Sequence, residues 1–422
     1  MPYQSAVTIR APLRPGSHDA AVAALAGLQA SVTAGGSALS GLDGVHFARF
    51  TLLPAVTLPD GTDVAETLLY MADVDGSQRS HLRELACFAS AELDTAFGCC
   101  LDYPPGSSAR ERHRWLCHHT LASAAAYVNA VGRSSQEIVD DARLRDALEN
   151  YLDAHHGELA AASAVEVHRR LRGFVGATAS LTFAISEPPA PPLWWRARSK
   201  AVLLTVLFLL GLASPLLLIG LPFWLIALRR HERSDVVFTD LPDPAALEQL
   251  RAQEDHVAYN PFIAVGSVRP GLFRRITIRA VLGAINLAAR HVFNHESLAG
   301  VTTIHFARWV YLDDRKRVFF ASHYDGSLES YMDDFIDKVA WGLNAVFGNG
   351  LGYPRTRWLF LDGARQEELF KNYLRCHQLL TQVTYSAYPD LSASNINNNA
   401  QVRLGLTQAL DEEEASRWLA RL

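Results

Sequence analysis

Hydrophobic and polar positions divide the chain into two stretches of mixed pattern on either side of one apolar run, Ala201 to Leu228, which carries no charged residue. A helix needs about 20 apolar residues to cross ~30 Å of hydrocarbon, so length alone permits one span. Ser214-Pro215 and Gly220 with Pro222 argue for a break near the middle, because proline lacks a backbone donor and clashes with the preceding turn. Two short arms would then form a re-entrant hairpin. Arg196, Arg198 and Lys200 before the run, and Arg229, Arg230 and Arg233 after it, place basic residues on both flanks, with Trp194, Trp195 and Trp224 at headgroup depth. That symmetry favours a hairpin with both ends on the cytoplasmic face. One kinked span and a buried helix pair stay open, although a core helix normally keeps a polar face.

The flanking stretches alternate between strand and helix periods. Before the run, strands are expected at Ala6 to Pro12, Val45 to Leu53, Glu66 to Ala72 and Ala124 to Asn129, with helices from His18 to Ser31 and Ser77 to Phe97. A helical stretch, Ser135 to Arg172, follows, then a stiff proline-rich linker, Glu187 to Pro192. After the run, strands are expected at Phe262 to Val268, Thr302 to Leu312, Arg317 to Tyr324, Trp358 to Leu361 and Gln382 to Tyr388. Helices fall at Leu272 to Val292, from Ser327 onward, at Ala364 to His377, and at the acidic-to-basic end Asp411 to Leu422.

The two stretches repeat each other. Arg14-Pro15-Gly16, His46-Phe47-Ala48-Arg49, Asp75-Gly76 and Tyr103-Pro104 recur in order as Arg269-Pro270-Gly271, His305-Phe306-Ala307-Arg308, Asp325-Gly326 and Tyr353-Pro354. The interval from aspartate to tyrosine is identical in the two copies. Each copy reduces to β-α-β-β-α-β, the split β-α-β or ferredoxin-like arrangement. The predicted class is therefore α+β, with two tandem ferredoxin-like repeats separated by a membrane-inserted hairpin. Residues 1–134 form the first repeat, 135–193 the helical segment and linker, 194–233 the membrane segment, 234–410 the second repeat and 411–422 a terminal helix. If the copies pack together, both lie on one side of the bilayer, which again favours the hairpin.

Tandem units of this kind resemble the dimeric α+β barrel superfamily, in which two sheets face each other around a cavity. Ala72-Asp73-Val74-Asp75-Gly76 and Ser322-His323-Tyr324-Asp325-Gly326 are similar to the G-x-x-D-G motif of dye-decolourising peroxidases, each without the first glycine. The resemblance implies redox chemistry with haem as a cofactor and the aspartate on its distal side, while a barrel cavity at the membrane surface would admit an apolar or lipid-derived small molecule as substrate.

Strand alternation puts His305, Ala307, Trp309 and Tyr311 on one face and Phe306, Arg308 and Val310 on the other. His305 is either a base or ligand aimed into a cavity, or a hydrogen-bonded strand histidine kept for packing. Asp325, like Asp75, is either a turn and capping residue or a proton shuttle. The catalytic candidates are His305, Arg308 as electrostatic stabiliser and Asp325; the cofactor-binding candidates are His305, Trp309 and Tyr385. Asn395 to Asn399 reads as a surface loop, and Tyr388 as cavity lining.

Composition removes several classes. A net charge of −5 and the lack of a basic, aromatic-interleaved patch argue against nucleic acid. Five cysteines form no regular framework, and Cys99-Cys100 with Cys117-His118-His119 lacks the spacing of a zinc site. No G-x-S-x-G, H-E-x-x-H or glycine-rich phosphate loop occurs. The expected partner is a lipid membrane, with oligomerisation open. A membrane-bound peroxidase-like oxidoreductase and a non-catalytic ligand-binding or scaffold protein are the two functions left.

Overall fold

The computed structural model describes residues 4–186, 193–293 and 296–422. The linker Glu187 to Pro192 lies outside the described residues, as do the side chains of Trp194, Trp195, Arg196 and Arg198. The class is α+β, with two four-stranded antiparallel sheets.

The strands are β1 (Gln4–Pro12), β2 (Val45–Leu53), β3 (Thr67–Asp75), β4 (Ser123–Val128), β5 (Tyr259–Ser267), β6 (Ile304–Leu312), β7 (Arg317–Asp325) and β8 (Val383–Ser386). One sheet has the order β1-β3-β2-β8 and the other β4-β6-β7-β5. Strand β4, expected within the first unit, instead pairs with β6, and β8 pairs with β2. Each sheet thus takes its last strand from the far side of the apolar helix. The boundary at residue 134 is therefore not a boundary in the sheets.

Alternation along the strands sends one set of side chains toward helices and the other toward the opposite sheet. Val7, Ile9, Phe50, Tyr70 and Val383 pack under helices His18–Thr33, Gln78–Phe88, Ser90–Phe97 and Ala109–His118. Phe262, Trp309 and Phe320 do the same under Leu272–His291, Leu328–Phe347 and Glu367–His377. Between the sheets, Leu53, Leu69 and Met71 meet Ile263, Val310 and Phe319, while Phe47, Tyr259, Phe306 and Tyr388 form a second cluster. The expected cavity between facing sheets is thus replaced by a filled layer of apolar clusters interleaved with buried histidines and arginines, because the inward positions carry large side chains.

A third core joins Ser135–Ala154 and Ala164–Ala177 to Ala393–Leu406 and Glu412–Leu419 through Leu144, Leu171, Val402 and Trp418. Asn395 to Asn399, expected as a surface loop, lies in the first of those C-terminal helices, capped reciprocally by Ser392 and Asn395.

The apolar run lies within helix Leu193–Ser234, which bends by 79° between Lys200–Leu216 and Leu218–Ser234. The break falls between Pro215 and Pro222, where lost donors weaken the helix. Among the described residues no single helix is long and apolar enough to cross a membrane. Large apolar side chains from Leu204 to Ile226 are exposed.

Candidate functional site

The two His-Phe-Ala-Arg segments face each other across the inter-sheet layer. Register shifts interrupt the pairing between Val45 and Phe47 and between Ile304 and Phe306. Each bulge opposes an extra residue to its partner strand and changes which way the histidine points. His305 therefore does not share the face of Trp309 and Tyr311. Its ring lies against Phe47 at 5.3 Å and Tyr388 at 6.3 Å, inside the layer between the sheets. His46 mirrors it, packing on Phe306 and Tyr388.

Each histidine ends on an aspartate, and each aspartate ends on a helix. His305 Nε2 lies 2.6 Å from Asp325 Oδ1, and Asp325 Oδ2 accepts the Ala393 N–H at 2.8 Å. His46 Nε2 lies 3.1 Å from Asp75 Oδ1, and Asp75 Oδ2 accepts the Ser135 N–H at 2.9 Å. With Nε2–H donating to the carboxylate, His46 Nδ1 receives the Tyr388 hydroxyl at 2.8 Å. The recipients are the first residues of Ala393–Leu406 and Ser135–Ala154, where free N–H groups and the helix dipole favour a carboxylate. Capping is thus the aspartates' task, but of distant helices. The helices that directly follow them are capped by Ser77 and Ser327. Gly76 and Gly326, at φ of 76° and 77°, supply the left-handed turn between aspartate and serine.

Arg308 is not part of this unit. Its guanidinium crosses to the other sheet, donating to Val7 O at 2.5 Å, Ala72 O at 3.0 Å and the Asp73 carboxylate. Arg49 makes the reciprocal crossing to Phe262 O and Ser322 O at 3.0 and 3.3 Å. Among the described residues it meets no carboxylate, because His323 stands in β7 where Asp73 stands in β3. Burial and the neighbouring Arg308 lower the Arg49 pKa to about 9. Burial, with Arg49 second, pushes His323 well below the ordinary histidine range, and neither ring nitrogen has a hydrogen-bond partner.

The candidate cofactor set is dispersed. His305 lies between the sheets, Trp309 packs on Phe320 on the helix side of the second sheet, and Tyr385 lies against the helix-side core of the first. Tyr388 is buried against His46, and burial raises its pKa well above the ordinary phenol value. A haem does not fit these residues: His305 Nε2 is held by Asp325, and aromatic side chains occupy the ring's surroundings. Of the three catalytic candidates, only His305 and Asp325 come together.

Glu232, in the last turns of the apolar helix, and Asp235, just beyond it, build a different site with no motif to mark them in the sequence. Glu232 is fully buried and accepts hydrogen bonds from Thr356 Oγ1, Trp358 N and Leu359 N at 3.1, 3.0 and 2.7 Å, with Arg229 at 2.9 Å. Asp235 pairs with Arg269 at 3.2 Å and with Arg274, and burial raises its pKa despite both. These contacts fasten the end of the helix to the second half. Trp358 to Leu361, expected as a strand, is instead the tip and return of a tight hairpin pairing Thr356–Arg357 with Leu361–Asp362. Trp358 and Leu359 hold φ of 57° and 67°, which non-glycine residues rarely adopt, and Glu232 binds both their amides.

Beside this hairpin lies an open cavity of about 570 Å³ lined by Arg229, Arg355, Arg357 and Arg365 with Asp362 and Gln366. Its sequence signal is Arg-Thr-Arg-Trp-Leu-Phe-Leu, two basic residues leading into an aromatic apolar stretch. A second cavity, about 30 Å³, lies under Tyr373 and His377. No protein-family model, curated protein or solved structure matches the chain.

Proposed function

We propose that this chain is a membrane-attached, non-catalytic binding or scaffold protein, built from a duplicated ferredoxin-like module whose copies share their sheets. The observation that carries the proposal is an apolar helix that leaves its large side chains exposed while its far end is fastened by Glu232 and Asp235 to a well-packed body. Contiguous apolar surface of this extent on a soluble protein calls for a lipid or protein cover. At ~1.5 Å per residue each arm is about 25 Å long, short of the ~30 Å hydrocarbon core. The 79° bend and the shared sheets both support a re-entrant insertion that keeps the two halves on one side, taken as the cytoplasmic face. A single span would place β4 and β6, which pair directly, on opposite sides.

The non-catalytic half of the reading rests on where the chemistry-bearing groups are spent. Both histidine–aspartate units hold helix N-termini, and both arginines tie sheet to sheet.

Two assays test the proposal on the full chain. In flotation with phosphatidylcholine vesicles the protein should rise with the lipid, and protease should reach tags on both termini from the same side. Recovery in the unbound fraction, or protection of only one terminus, would contradict it. After haem addition, visible spectra of wild type and His305→Ala should coincide. A Soret band lost on that substitution would restore the peroxidase reading.

A further inference from the structure

The cavity beside the 356–362 hairpin carries the strongest unassigned chemistry in the molecule. Four of its lining residues are arginines, against one aspartate. Arg229 is offset by the buried Glu232, with its guanidinium 5.8 Å over the Trp358 ring. Arg357 makes an exposed pair with Asp362 at 3.3 Å. Among the described residues Arg355 donates only to the Asp235 carbonyl, at 3.4 Å. Arg365 makes no ion pair among the described residues. Two carboxylates against four guanidinium groups leave a surplus of two positive charges. That surplus matches a phosphomonoester, whose charge near pH 7 is about −1.5 to −2 and whose oxygens suit the guanidinium fork.

The cavity also sits where a headgroup would be. Arg229 directly follows Leu228, the last residue of the apolar run. The hairpin exposes Trp358 (43%) and Phe360 (46%) with Leu361 beside them, an aromatic and apolar tip next to a basic basin. Both features are fixed to the helix end through Glu232, so the hairpin tip and the arginines lie beside the end of the apolar arm.

We propose that this pocket binds a phosphomonoester, carried by an anionic lipid headgroup or by a soluble phosphate. The lipid version rests on the membrane reading above. Arg355 and Arg365 supply the uncommitted guanidinium groups, and Arg357 joins them by releasing Asp362.

Calorimetric titration of the full-length protein in a non-ionic detergent tests this, using dihexanoyl phosphatidic acid, dihexanoyl phosphatidylcholine and inorganic phosphate as probes. Phosphatidic acid should bind about tenfold or more tightly than phosphatidylcholine. The R355Q/R357Q/R365Q variant should lose that preference, and Arg365→Gln alone should lose part of it while keeping the wild-type circular dichroism. Inorganic phosphate binding as tightly as phosphatidic acid would support the site with a soluble ligand. Equal affinity for the two lipids, or an unaltered preference in the folded variants, would overturn the proposal. Flotation on phosphatidylcholine vesicles, run alongside, should be the same for wild type and variants. Its failure would sink the membrane reading and leave the calorimetric result standing for a soluble phosphate.

Discussion

The Arg308–Asp73 pair is the sharpest test of how the two sheets are held together. Both side chains are buried, and the guanidinium also donates to Val7 O and Ala72 O. Asp73→Asn preserves shape and leaves a buried cation without its counter-ion, for which the expected cost is about 3–5 kcal/mol. Arg308→Met strands the carboxylate together with Val7 O, Ala72 O and Thr8 Oγ1, and should cost a similar amount. Arg308→Met with Asp73→Asn removes both charges together, closes the cycle with the two single variants, and should recover much of the loss. The coupling should then reach about 2 kcal/mol or more, since the residues share one network. Arg49→Met is the internal control. Arg49 has two carbonyl acceptors and no carboxylate, so its loss should cost at most about 2 kcal/mol. Urea unfolding in a mild detergent, followed by circular dichroism and tryptophan fluorescence together, gives the four stabilities. Single losses below about 1 kcal/mol, adding without coupling, would refute the claim that this pair ties the sheets.

His323→Asp should give Arg49 the partner that Arg308 already has and stabilise the fold by about 1–3 kcal/mol above pH 6, a gain that acid removes; destabilisation in the same urea assay would count against the assigned symmetry. Asp141, buried between Glu137 and Arg403, has its pKa pushed up to about 7, chiefly by burial. A carboxyl raised above its unfolded value favours folding at low pH and loses that contribution as pH rises to about 7, so Asp141→Asn should flatten the decline between about pH 4 and 7, by up to about 4 kcal/mol. Thermal melts across that range check the sign, and an unchanged slope would contradict it. Glu232→Gln weakens the anchor of the 356–362 hairpin, and trypsin should then cut after Arg355 or Arg357 several-fold faster than in wild type, a difference visible by mass spectrometry; equal cleavage rates would remove Glu232 from that role.

Most strands and helices were legible because each keeps one period over most of its length. Val45–Leu53 and Ile304–Leu312 match their expected positions closely. Pairing was not legible. Nothing in Ser123–Val128 or Val383–Ser386 says which sheet edge receives them, since edge choice depends on the tertiary arrangement. The histidine faces were misjudged for a local reason: a one-residue bulge reverses the alternation, and Val45-His46-Phe47 carries no mark of it. Trp358-Leu359-Phe360 has the propensity of a strand, yet Glu232, distant in sequence, binds its amides and holds the turn. The asparagine run looked like a loop by composition, but Asn397 bonds Arg133 and Asn129 and the capping box starts a helix there.

The central claim is that the two halves form one body because each lends a strand to the other. Ala48 in β2 and Tyr385 in β8 are directly paired, although far apart in the chain. In a background with the five native cysteines replaced by serine, Ala48→Cys with Tyr385→Cys should form an intramolecular disulfide under mild oxidation, seen by mass spectrometry, without loss of circular dichroism. Absence of that link while Ala48→Cys with Ala72→Cys, a pair within one half, still forms would show that the strands are not exchanged.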